Sequence, residues 1–206
     1  GTDPSAMAMV EIDANLPCTN KRSLVDMGEY AIYASPDGLV LASNSGIQLI
    51  TQQILTRDQW QSEYYPANVE AYEYEGKYIG FTFDGSDNST KKGFLFDPRG
   101  GKNAFVNLDF YATAGFNDRE EDSLYLVIDG VLKEFATNST RRSYSWKSKV
   151  FYTNRPICPG VAKVSADSYS SLTFKLFADG SLKHTQTVTS ANIFRLPGGY
   201  QAKSFE

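Results

Sequence analysis

The sequence predicts an all-β protein that contains one short helix, and three observations support this prediction. Aromatic residues make up 14% of the 206-residue chain, with 13 Tyr, 13 Phe and 2 Trp, and such residues suit the half-buried pleated surface of a strand. Helix-capping signals occur only near residues 55–63. Elsewhere, short apolar or alternating runs are separated by Gly, Asp, Asn and Pro, as in strands joined by hairpins. We expect at least twelve strands.

The chain opens with a segment, residues 1–9, that has neither a basic region nor an apolar stretch. We interpret it as an expression-tag remnant or a disordered start. Residues 10–140 are predicted to form a propeller-like β domain. The short helix is expected within this domain at 55–63, because Thr56 can cap it and Gln59 follows three residues later, as in a capping box. It should end before Pro66.

A weak internal repeat runs through this domain. The dipeptide Asp-Gly occurs at 37–38, 84–85, 129–130 and 179–180, at spacings of 47, 45 and 50 residues. Strand-like runs flank the first three copies, and Asp-Gly favours hairpin turns because it tolerates positive φ. A hairpin every ~46 residues is typical of propeller blades, although chance recurrence remains the alternative. About three blades would not close a ring, so we expect either self-association or aromatic side chains on an exposed flank.

Residues 141–206 are predicted to form a small β-sandwich after the blades. Their strands are longer, and residues 171–188 read as one hairpin with a two-residue turn and alternating polar positions. The sequence stops at Ser204-Phe205-Glu206, within an apparent strand, which we interpret as a truncation of this module.

The inventory of reactive residues indicates a non-enzymatic protein. His184 is the single histidine, and no nucleophile elbow or phosphate-binding glycine loop is present. The acidic run 118–122 is interpreted as a solvated loop. Residues 84–90 are rich in oxygen ligands but lack the spacing of a calcium loop, so a polar hairpin tip is preferred. We therefore expect no catalytic, cofactor-binding or metal-binding residues, although paired carboxylates of a glycosidase could meet only in three dimensions.

Charge, hydropathy and cysteine content narrow the expected partners and the location. The net charge of −4 is too mild to attract a polyanion, so no nucleic acid is expected. No apolar run approaches the ~20 residues that a membrane span requires. The chain has two cysteines, Cys18 and Cys158. We expect both to be reduced and not bonded to each other, as in a protein made in a reducing cytosol.

Aromatic residues are the candidates for contact with a ligand or partner. A crowded set in the first domain could form a sugar-binding platform or could pack inside the protein: Trp60, Tyr64, Tyr65, Tyr72 and Tyr74. Trp146 lies in a second stretch, near Lys147, Lys149 and Arg155. That stretch is interpreted as a contact rim or simply as outward-facing strand positions.

An ordered series of segments resembles large structural proteins of bacteriophage and prophage tails. The segments are 18–28, 32–40, 55–60, 76–81, 93–98, 122–126, 144–151, 177–180 and 194–197, and together they cover roughly residues 16–206. In such proteins this region is similar to the C-terminal part of a much longer chain. The resemblance implies a virion tail component, assembled in the bacterial host cytoplasm, and it brings no catalytic residues.

Three functions are compatible with these patterns. The main prediction is a structural tail component that contacts other virion proteins or further copies of itself. The first alternative is a receptor-binding module that recognises a surface carbohydrate through its aromatic residues. The second alternative is a fragment of a glycosidase-like propeller, which converging carboxylates in a pocket would support.

Overall fold

A computed structural model describes residues 15–100, 104–139, 143–167 and 169–206. These residues form seventeen strands in antiparallel sheets and one α-helix of eight residues, which confirms the all-β prediction. The segment 1–9 lies outside the described residues. By its internal contacts the chain divides into two compact units, residues 1–139 (unit 1) and residues 140–206 (unit 2).

Unit 1 contains three antiparallel sheets, and the strands of each follow one another in sequence order. Sheet A consists of β1 (Val25–Asp26), β2 (Tyr30–Ser35), β3 (Gly38–Ser43) and β4 (Gly46–Leu49). Sheet B consists of β5 (Glu70–Tyr74), β6 (Lys77–Thr82), β7 (Lys92–Phe96) and β8 (Phe105–Leu108). Sheet C consists of β9 (Ala114–Asp118), β10 (Ser123–Ile128) and β11 (Val131–Glu134). In the described part of unit 1, single-turn 3-10 helices lie at Lys21–Ser23, Pro66–Asn68 and Asn88–Thr90.

Unit 2 contains a four-stranded sheet and a two-stranded sheet. The strands are β12 (Phe151–Ile157), β13 (Val161–Ala162), β14 (Leu172–Ala178), β15 (Ser181–Val188), β16 (Phe194–Arg195) and β17 (Ala202–Phe205). Sheet D has the order β12-β17-β14-β15, and sheet E pairs β13 with β16. The β14–β15 hairpin is the one that the sequence predicts at 171–188.

All four Asp-Gly dipeptides lie in hairpins, but they occupy different positions in them. At 129–130 and 179–180 both residues have positive φ (54° and 76°, 46° and 74°), as a two-residue type I′ turn requires. At 37–38 the glycine already begins β3. At 84–85 the dipeptide lies in a longer loop, where the Asp84 carboxylate accepts hydrogen bonds from the backbone N–H groups of Asp87 and Ser86. These bonds lower the pKa of Asp84.

The helix α1 (Arg57–Tyr64) forms where the sequence predicts it. Thr56 accepts a hydrogen bond from the Gln59 backbone N–H at 3.2 Å, and the Gln59 side chain accepts one from the Thr56 N–H at 3.0 Å. This capping box satisfies two backbone N–H groups that the first helical turn leaves free. The helix ends at Tyr64 and is followed by Tyr65, which adopts a left-handed conformation (φ 41°) before Pro66.

The core of unit 1 consists of two apolar clusters, one on each side of sheet B. Successive residues of β6 point to opposite faces. Tyr78 therefore packs in the cluster with α1 and sheet A, whereas Ile79 and Phe81 pack against sheet C. The Tyr78 hydroxyl donates a hydrogen bond to the Ser23 carbonyl at 2.9 Å, and complete burial raises the pKa of Tyr78 well above its usual range.

Candidate functional site

The first strands of the three sheets in unit 1 converge. β1 contacts β5, and β5 contacts β9. A cleft of about 290 Å³ opens beside this junction. Its lining combines aromatic, acidic and basic side chains, including Asp26, Tyr72, Tyr74, Asp118, Arg119 and Asp122. We name it the junction cleft.

Tyr72 and Tyr74 lie two residues apart on β5, so they share one face of that strand. Tyr72 packs near Phe81 with ring centroids 6.3 Å apart, and burial raises its pKa. Tyr74 makes an edge-to-face contact with Phe135 at 5.0 Å, and burial followed by the charge of Glu75 raises its pKa. Both phenols therefore stay neutral at physiological pH and can exchange hydrogen bonds with a polar ligand.

The charged groups of the junction cleft come from loops and strand ends. The Arg119 guanidinium lies 3.9 Å from the Asp26 carboxylate, and the Arg119 side chain is 85% exposed. Asp122 adopts a left-handed conformation (φ 52°) in the turn that leads to β10. Carboxylates and a guanidinium beside aromatic rings can bind a polyhydroxylated ligand, because the charged groups accept and donate hydrogen bonds while the rings cover apolar ring faces.

Trp60 and Tyr64 do not form a surface platform, which corrects the prediction for these two residues. Trp60 is 0% exposed and Tyr64 is 3% exposed. The two rings stack at 5.4 Å on the inner side of α1, and the Trp60 indole N–H donates to the Ser35 carbonyl at 2.9 Å. Residues four apart on a helix face the same side, so both enter the core together.

The remaining predicted contact residues occupy separate places. Tyr65 ends α1 and is half-buried, and its carbonyl accepts a hydrogen bond from the Asn68 N–H at 2.8 Å. Trp146 belongs to unit 2 and is 78% exposed. The structure thus brings only Tyr72 and Tyr74 together in one cleft.

Two apolar surfaces are exposed, and the first of them was not identified from the sequence. The first is the outer face of sheet C, where Tyr125 is flanked by Phe116 on β9 and Glu134 on β11. Phe116 and Leu132 on this face are 63% and 65% exposed. A count of alternating positions does not find such a face, because it cannot show which side of a sheet another layer covers.

The second is an exposed aromatic segment of unit 2 around the start of β12, where the successive residues Phe151 and Tyr152 point to opposite faces of the strand. Large aromatic side chains there are exposed by 52–87%: Tyr144, Trp146, Phe151 and Tyr152. In contrast, every Tyr and Phe in the described part of 69–111 is buried or half-buried. The exposed aromatic flank expected for the propeller-like region is therefore not found in this range, and self-association, the other expected outcome, stays a prediction.

Other groups that could support chemistry give little indication of a site. Among the described residues, no cluster of three or more His, Cys, Asp or Glu side chains is arranged to hold a metal ion. The His184 ring pairs with Gln186 at 3.0 Å on the same strand. Cys18 and Cys158 are both free and exposed. A second cleft of about 550 Å³ lies beside Tyr111, where the Lys91 ammonium is 5.2 Å from the ring centroid.

No protein-family model matches the chain, and no curated protein is significantly similar to it. Within the part of the chain that the structure covers, no helix has both the length and the apolarity needed to cross a lipid bilayer.

Proposed function

We propose that this chain is a non-enzymatic structural component of a phage tail and works through contacts with other virion proteins. The ordered segments that resemble tail proteins support the virion assignment. The observation that supports a role in protein contacts best is the exposed apolar outer face of sheet C, with Phe116 and Leu132 both more than half exposed. Apolar side chains clustered on an exposed sheet typically mark an interaction surface.

The arrangement of unit 1 also supports the propeller-like interpretation. Sheets A, B and C are consecutive antiparallel meanders that pack face to face, and their first strands contact one another in order. Propeller blades are built in this way, with the first strands lining the axis. On this proposal the three sheets are three blades. Sheet C has three described strands where sheets A and B have four.

The tail assignment is tested in phage particles from the bacterial strain that carries the gene. We expect an antibody raised against residues 15–206 to detect the chain in purified particles and to place gold label on the tail in electron micrographs. A strain with the gene deleted provides the control for antibody specificity. Intact, tailed particles from the undeleted strain that contain no trace of the chain would refute the assignment.

Carbohydrate recognition is a second candidate function, and the junction cleft favours it. Tyr72 and Tyr74 provide ring surfaces, and Asp118, Arg119 and Asp122 provide hydrogen-bonding groups at the same opening. Stacking of rings on sugar faces combined with a few polar groups is a common arrangement in ligand sites. The glycosidase-like alternative requires paired carboxyl groups, which the acidic residues of the lining could supply, and the same experiment tests it.

We expect the wild-type chain to bind one class of surface glycan on an array, and Arg119→Ala to reduce that signal at least about tenfold, since a lost charged hydrogen bond is worth about 1.5–3 kcal/mol. Arg119 is exposed, so the change leaves the fold intact. Arg195→Ala, at an exposed position of unit 2, is the matched control. Unchanged binding in Arg119→Ala, or no binding by the wild type, argues against the cleft, whereas cleavage of a bound glycan would favour the glycosidase-like alternative.

A further inference from the structure

The two units carry opposite charges. Residues 1–139 contain 21 Asp and Glu against 10 Lys and Arg, a net charge of −11, whereas residues 140–206 contain 3 against 10, a net charge of +7. The mild total of −4 conceals this division. Each unit also exposes one of the two apolar surfaces described above.

The unit 1 surface is acidic as well as apolar. Tyr125 lies at its centre, flanked by Phe116 and Glu134. The Tyr125 hydroxyl lies 3.3 Å from the Glu121 carboxylate, and the charge of Glu134, then burial and Glu121, raise the pKa of Tyr125. Asp118 is at the same face of β9, two residues from Phe116. We name this surface, which also includes Leu132, the acidic face.

The unit 2 surface is aromatic and basic. Residues 144–152 contain the exposed rings of Tyr144, Trp146, Phe151 and Tyr152 together with two lysines. The Lys149 ammonium lies 5.3 Å from the Phe151 ring centroid, and Lys147 pairs with Glu206 at 2.9 Å. The Lys149 contact places a positive charge beside an exposed ring, whereas the charge of Lys147 is paired with that of Glu206. We name residues 144–152 the basic segment.

We propose that the basic segment of one copy of this chain docks on the acidic face of a second copy. Opposite charges surround apolar side chains on both surfaces, and this combination steers association and fixes its orientation. The contact joins two different surfaces, so it is heterologous. The proposal deepens the structural role by naming the partner, and it rests on that proposed role.

The first test measures the molar mass of the full chain by light scattering over a range of concentrations. We expect assemblies that form as concentration rises and dissociate as salt rises from about 0.05 to 0.5 M, because the Debye length then falls to a few ångströms. Trp146→Ala should weaken the association without unfolding unit 2, since this side chain is 78% exposed. A chain that remains monomeric at every concentration, or whose assemblies are unaffected by salt, overturns the proposal.

The decisive test uses two charge reversals, one on each surface. In Glu134→Lys, the altered acidic face repels the basic segment of another copy of the same variant. In Lys149→Glu, the altered basic segment is repelled by the acidic face of another copy. Each variant alone should associate at least about tenfold more weakly, the effect of about 1.4 kcal/mol. An equimolar mixture should recover association, because each variant now offers the other a complementary pair of surfaces. Both residues are exposed, so neither substitution disturbs a core.

Matched controls carry the same charge changes elsewhere on each unit. Glu29→Lys before β2 and Lys175→Glu on β14 are at exposed positions outside the two surfaces, and both should leave association unchanged. Loss of association in the controls, or no recovery in the mixture, overturns the proposal. The proposal is also overturned if the chain stays monomeric and binds a single-stranded oligonucleotide through Trp146. A monomeric chain that is still found in tails refutes only self-association, whereas an associating chain absent from particles refutes only the tail assignment.

Discussion

Replacing Trp60 by Ala should destabilise unit 1 by about 3–5 kcal/mol, the range typical of a buried aromatic side chain cut back to Ala. Trp60 is completely buried, stacks on Tyr64 and contacts Phe94 edge-on at 5.9 Å. The substitution also leaves the Ser35 carbonyl without the indole N–H that it accepts at 2.9 Å. Urea titration followed by far-ultraviolet circular dichroism measures the loss.

The other tryptophan of the chain is a matched control. Trp146 is 78% exposed, so Trp146→Ala should change the free energy of unfolding by no more than about 0.5 kcal/mol. In that variant the remaining tryptophan emission comes from Trp60, and its maximum should be blue-shifted, as for an indole away from water. Comparable destabilisation by the two substitutions would contradict the placement of Trp60 in the core. Because Trp60 lies in the core, Trp60→Ala tests folding and cannot serve to test carbohydrate recognition.

Gly80→Ala should destabilise unit 1 by about 1–3 kcal/mol, because it overpacks a filled core. A methyl group at Gly80 would lie 2.3–2.8 Å from three atoms of the Phe94 ring on the neighbouring strand. That ring cannot move aside easily, since it is fully buried and stacks on Phe105 with centroids 5.1 Å apart. Thermal unfolding of the variant beside the wild type gives the size of the effect.

A double variant identifies the cause of this destabilisation. Adding Phe94→Leu to Gly80→Ala removes the ring that the new methyl group meets, so the two changes together should cost at least about 1 kcal/mol less than their separate effects added. Gly198→Ala is the control, because nothing lies within 4 Å of a methyl group there. Strict additivity of Gly80→Ala and Phe94→Leu would show that the glycine is required for some reason other than its contact with Phe94.

The elements predicted correctly are those with a local cause. The capping box of Thr56 and Gln59 involves residues three apart, so it could be recognised in the sequence, and the type I′ turns at 129–130 and 179–180 depend on two adjacent residues. The pairing of β12 with β17 could not be predicted in this way. It joins Phe151 to Phe205 across more than fifty residues, and nothing in either strand alone specifies the other.

The candidate sites were harder to predict because burial is a property of the assembled layers. Trp60 and Phe116 are both large aromatic residues, yet α1 turns the first into the core while no described layer covers the second. Tyr72 and Tyr74 were singled out as possible contact residues, and their role in binding stays a prediction. Two acidic residues of the junction cleft, Asp26 and Asp118, come from β1 and β9, some 45 residues away on either side. The division of charge between the two units went unnoticed for a simpler reason, since a total of −4 conceals −11 and +7.

The sequence order of the strands has a consequence for how the chain folds during synthesis. In sheets A, B and C every strand pairs with its neighbour in sequence, so each meander closes over a short loop with a small loss of chain entropy. Each of these sheets can pair its strands soon after it leaves the ribosome. Sheet D is different, because β17 lies between β12 and β14. The ribosome must release Ala202–Phe205 before β12 gains its partner, and until then the exposed rings of Phe151 and Tyr152 are on an unpaired strand.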